Sequence, residues 1–157
     1  MMVPRHVQVI FCDDIRQEVG NKFSLMGIYQ DDLQISEIPA VLPKLCMRIT
    51  LVTPIGQPFG KAIIRVYLDE ELLLEMANTA DDPVFQSKVA AARALRAANE
   101  DSTATLESFT SMVTMSPFQI SKEGTLRVKV ETEDGELRAS SLRLKLVPAV
   151  GLAGAAS

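Results

Sequence analysis

A chain of 157 residues with 20 acidic against 16 basic side chains and a net charge of −4 has no surplus of lysine and arginine for neutralising phosphates, which excludes nucleic acid as a partner. Its 47% hydrophobic and 23% charged residues make a globular mixture, and a chain this long buries about 70% of its unfolded surface, enough for one core without a metal or a disulfide. No run of about 18 uncharged apolar residues exists for membrane insertion, and "MMVPRHVQVIFCDD" meets acid too early for a signal-peptide core.

The first predicted element is a strand from near His6 to Cys12, "HVQVIFC", apolar on both faces because Ile10 opposes Val9 and Phe11. Cys12, Asp13 and Asp14 then read as the start of a connection that turns through Gly20 and Asn21. A second strand begins near Lys22, "KFSLMGIY", with Met26 and Ile28 opposite Phe23 and Leu25. The acidic doublet Asp31 and Asp32 sits in the next connection. In "KLCMRITLV" Leu45, Met47, Ile49 and Leu51 share one face, and "TPIGQPFG" after it, with two prolines and two glycines, is a loop. "KAIIRVYLD" aligns Ala62, Ile64, Val66 and Leu68 in the same way, with Ile63 and Tyr67 apolar on its other face. The chain reverses at Asp69 and Glu70 into a strand over Leu72 to Met76.

One stretch breaks the two-residue period. "DDPVFQSKVAAARALRAAN" is alanine-rich, and Phe85, Val89, Ala92 and Leu95 recur at helical spacing. This predicts one short helix over 83–98, with Asp82 as N-cap and Pro83 in the first turn. "TATLESFTSMVTM" is strand-like and "SPFQISKEG" a connection. In "TLRVKVET" Leu126, Val128 and Val130 share a face; Asp134 and Gly135 then form a hairpin signal leading to "SLRLKLV", with Leu142, Leu144 and Leu146 aligned. Residues 149–157 read as a flexible tail behind a single domain over 3–148.

About eight strands and one helix predict a mainly β protein, an antiparallel two-sheet sandwich of immunoglobulin-like or C2-like Greek-key architecture, with a partly closed barrel as the alternative.

Candidate chemistry is sparse. Zinc takes close pairs of cysteine and histidine ligands, but the chain has one histidine, and Cys12 and Cys46 are 34 positions apart. With no secretion signal, two such cysteines suit a reduced cytoplasmic compartment, where they pack as small apolar groups. A dyad of His6 and Cys12 fails on reach, since six strand residues span about 20 Å. No glycine-rich phosphate loop is present. Catalytic and cofactor-binding residues are therefore assigned as none.

Acidic doublets suit calcium, and counting antiparallel strands places Asp31 and Asp32 at the same end as Asp69 and Glu70, the one metal alternative. Asp13, Asp14, Arg16 and Glu18 form a candidate interaction or structural loop, with Asp14 and Arg16 close enough to bond.

Strands apolar on both faces need a second cover, since large exposed apolar patches are rare. The short helix covers part of it or a second subunit does. The functional expectation is a non-enzymatic β-sandwich module for protein–protein interaction or self-assembly, with a homo-oligomer as the first partner. The alternative is a calcium-dependent or small-ligand binding domain using its acidic loops.

"FCDDIRQEVGNKFSLMGIYQDDLQI" followed by "LPKL" resembles the N-terminal signature of a family of small uncharacterised bacterial proteins, in which "CDDIR", a glycine with lysine just after it, and "GxY" recur. The resemblance covers the first third of the chain and implies a bacterial, cytosolic, mostly β protein. It carries no catalytic residue onto Asp13, Asp14 or Arg16.

Overall fold

The computed structural model describes residues 4–79, 81–98, 103 and 105–148. In chain order the elements are β1 (His6–Glu18), β2 (Lys22–Ile28), β3 (Asp32–Ile35), β4 (Ala40–Leu42), β5 (Leu45–Pro54), β6 (Lys61–Leu68), β7 (Glu71–Thr79), α1 (Pro83–Ala98), β8 (Leu106–Met115), β9 (Phe118–Ile120), β10 (Gly124–Thr132), β11 (Gly135–Arg138) and β12 (Leu142–Leu146). The protein is thus mostly β, as the two-residue periodicity predicts, with one helix among the described residues, at 83–98. The expected tail at 149–157 lies outside the described residues.

The first sheet has the order β2-β1-β5-β8 and is antiparallel throughout. The second runs β3-β12-β10-β6-β7, with β11 also on β10, and β4 pairs with β9 as a small third sheet. β5 shows why the alternation works. Leu45, Met47, Ile49 and Leu51 point to the core, where Met47 and Ile49 lie between Phe11 and Val113 and between Val9 and Ser111 in the ladder. Facing them, Ile64 and Val66 of β6, Leu126, Val128 and Val130 of β10, and Leu142 and Leu144 of β12 complete one continuous core.

Among the described residues twelve strands stand where about eight were expected. The four extra, β3, β4, β9 and β11, are three or four residues long, too short to show a period. One pairing departs from the all-antiparallel expectation, since β3 runs parallel to β12 from Asp32↔Arg143 to Ile35↔Leu146. β10 holds two partners along one edge: Gly124–Leu126 pair with β12, and Lys129–Thr132 pair with β11. The Asp134–Gly135 turn therefore joins β10 to β11, and "SLRLKLV" is a separate strand beyond it.

α1 starts as its sequence dictates. The Asp82 carboxylate accepts from the Val84 N–H at 2.9 Å, and Pro83 follows it in the first turn. Linking β7 to β8, the helix buries Phe85 in the common core, 6.2 Å from the Phe109 ring.

Candidate functional site

β1 is longer than the sequence suggests. The expected connection at Cys12, Asp13 and Asp14 is strand, and the turn comes only at Gly20 and Asn21, both at positive φ. β1 pairs with β5 no further than Cys12↔Cys46, yet pairs with β2 onward from Cys12↔Ile28 to Glu18↔Lys22. Residues 13–26 therefore leave the sheet as a two-stranded arm. Polar residues mark the place because the strand has left the core, and they look like a turn only when the ladder is not seen.

The arm has two faces. Asp14, Arg16 and Glu18 stand opposite Met26, Ser24 and Lys22, and the other face carries Ile15 and Gln17 opposite Leu25 and Phe23. Arg16 Nε donates to Asp14 at 3.1 Å and Lys44 Nζ donates to its other oxygen at 2.9 Å. The Lys44 bond, then the Arg16 bond, holds the Asp14 carboxyl below its ordinary range. Of the four residues assigned to an interaction loop, Asp14 and Arg16 meet in this triad, Glu18 faces Lys22, and Asp13 turns to the opposite side. They belong to strand rather than loop.

Asp13 fixes the base of the arm. Its carboxylate accepts the Tyr29 hydroxyl and lies across Gly27, which sits at φ +66°. A Cβ at Gly27 would collide with Asp13 Oδ2, so only glycine fits beneath this carboxylate. Burial, then the Asp13 bond, pushes the Tyr29 phenol well above its usual value.

Large apolar side chains on this arm are open to solvent: Val19 at the tip is 94% exposed, Ile28 54%, Met26 46% and Phe23 43%. On the sheet beside Ile28 and Met26, the same face shows Ile10 and Met112 flanking Arg48. An isolated two-stranded ribbon is marginal in water and is normally held by packing.

The metal alternative is dispersed by the fold. Asp32 makes a two-pronged pair with Arg143, at 2.8 and 3.0 Å, and Asp69 accepts from the Thr125 N–H at 3.0 Å. Arg143 and Thr125 are ladder partners between them, so the backbones of Asp32 and Asp69 stand three strand spacings apart, about 14 Å, and each carboxylate is engaged by a different partner. Among the described residues no group of three or more His, Cys, Asp or Glu side chains is placed to hold an ion. His6 lies at the start of β1, its Nδ1 3.0 Å from the Pro4 carbonyl oxygen, away from Cys12.

Sequence reading missed the densest polar site. Arg5 spends all five of its N–H donors: Nε to Thr53 Oγ1 at 3.1 Å, one terminal nitrogen to Glu133 at 2.6 Å and Asp134 at 2.8 Å, the other to the carbonyls of Gln57 at 2.9 Å and Pro58 at 2.8 Å. Its plane stacks 4.7 Å over the Phe59 ring. Glu133 in turn accepts from the Gly60 and Lys61 N–H groups. Burial alone would raise the Glu133 carboxyl, but bonds from its own backbone, Arg5, Gly60 and Lys61 outweigh it and hold the pKa at about 2. This clasp ties the N-terminal segment to the β5–β6 loop and the β10–β11 hairpin. No local motif signals it, because its partners lie 48 to 129 positions away.

Fold and site together define a small, mostly β protein of two main sheets with a projecting, partly apolar arm. The chain belongs to the DUF6941 family, a family of unknown function whose model matches residues 8–145. No curated protein and no solved structure matches it.

Proposed function

We propose that the protein is a non-enzymatic interaction module that self-associates through its β1–β2 arm. The observation that carries this is the exposure of Val19, Phe23, Met26 and Ile28 on a ribbon flanked by no further strand. A second copy of the chain suits the arm because its charged face holds both signs equally, Asp14 and Glu18 against Arg16 and Lys22. Two copies about a two-fold axis can then set acid against base while burying Met26 and Ile28, which share that face.

Size exclusion with light scattering tests it. Wild type is expected at the mass of a dimer or more at high concentration. The double variant Met26→Lys, Ile28→Lys, altered only at exposed positions, is expected as a folded monomer. Wild type that stays monomeric at every concentration removes the reading.

A further inference from the structure

Cys12 and Cys46, 34 positions apart in sequence, are directly opposed in the β1–β5 ladder, at the last pair before the arm departs. Both are free thiols with 1% exposure or less. Their side chains share the outer face of the sheet and pack beneath the same piece of backbone: Cys12 Sγ lies 3.5 Å from the Asp14 carbonyl oxygen and Cys46 Sγ 3.8 Å from that of Asp13.

Opposed residues in antiparallel strands have Cα atoms about 4.5–5.5 Å apart, inside the range of about 4.4–6.8 Å that a disulfide spans. Their Cβ atoms, at about 4.5–5.5 Å, must close by up to about an ångström to reach the usual disulfide separation. The bond fits the backbone and carries strain, and strained disulfides are the reducible ones.

We propose that Cys12 and Cys46 form an oxidisable dithiol site that closes to an intramolecular cross-strand disulfide and bolts the base of the arm to β5. With a peroxide as oxidant, one thiolate attacks the O–O bond, giving a sulfenic acid and releasing water. The second thiol then attacks that sulfur and expels a second water. Two thiols and one hydrogen peroxide become one disulfide and two waters, with two electrons passing to the peroxide.

The reaction is slow by construction. Burial first, then the neighbouring Cys46, pushes the Cys12 thiol up to about 11, and the charges of Asp13 and Asp14 push the same way. Little thiolate is present at neutral pH. Lys44 is the cation on the Cys46 side, and its charge is already engaged by Asp14.

The test uses the full chain, treated with hydrogen peroxide at neutral pH and again at mildly alkaline pH. Remaining thiols are alkylated in denaturant and the products read by intact and peptide mass spectrometry. The expected product has lost two hydrogens per chain, yields a peptide joining Cys12 to Cys46, and reverts with dithiothreitol. Cys12→Ser and Cys46→Ser, with the alanine variants should either serine fail to fold, are each expected to lose that peptide. Two alkylated cysteines at both pH values, over-oxidised sulfur without a linked peptide, or links only between chains would overturn the proposal.

Discussion

Replacing Arg5 by alanine is expected to cost about 3 kcal/mol, which at this chain length lowers the thermal midpoint by about 6–12 °C. The size follows from what is left behind. The Arg5 side chain is 12% exposed, and its removal strands two carboxylates, a hydroxyl and two carbonyls that were arranged around one planar fork. Arg5→Lys is expected to recover only part of the loss, since one ammonium cannot serve groups spread along the guanidinium edge. Equal midpoints for wild type and Arg5→Ala in a melting experiment would show the clasp to be ornamental.

The same clasp has a pH signature. Glu133 titrates at about 2 in the folded chain against an ordinary 4.5. Its folded value is depressed, so its contribution is complete above about pH 4.5 and is lost as pH falls from there towards 2. Thermal midpoints measured across that window should fall less steeply in Glu133→Gln than in wild type. Parallel slopes would mean that other carboxylates govern acid unfolding.

Gly27→Ala is expected to destabilise by about 2–3 kcal/mol. Two costs combine. The φ of +66° disfavours any side chain, and the new methyl group meets the Asp13 carboxylate, which must swing away and give up the Tyr29 hydroxyl. A double-mutant cycle separates them: Asp13→Ala in the Gly27→Ala background should restore the steric part, leaving the pair less destabilised than the sum of the two single changes. Strict additivity in urea midpoints would show that Asp13 is not the obstacle. Tyr29 gives a second readout, because its phenol should ionise at lower pH in Gly27→Ala when followed by ultraviolet absorbance.

Long elements were legible because burial writes a period into them. β6 and β10 alternate over eight and nine residues, β5 carries its core residues at every second position from Leu45 to Leu51, and α1 carries its cap and its proline in sequence. β3, β4 and β9 were not legible: a stretch such as Asp32–Ile35 is strand because β12 lies beside it, and nothing in four residues announces a neighbour 111 positions away. Asp13 and Asp14 misled for a related reason. Their polarity reports departure from the core, which turns and projecting strands share. Arg5 was invisible because its importance is purely tertiary, whereas the pairing of Asp14 with Arg16 was foreseeable from a two-residue spacing on one strand face.

The parallel partnership of β3 with β12 bears on how the chain is made. The four strands of the first sheet have all been synthesised by Met115, while β3 must wait for Leu142–Leu146 before its backbone edge is satisfied. Until then Leu33 and Ile35, which end up buried, have no sheet to enter. Closing such a long loop is slow, so a half-made chain on the ribosome carries an idle, sticky strand. A nascent polypeptide stalled before residue 142 should be a chaperone client, and release of the last strand should end that dependence.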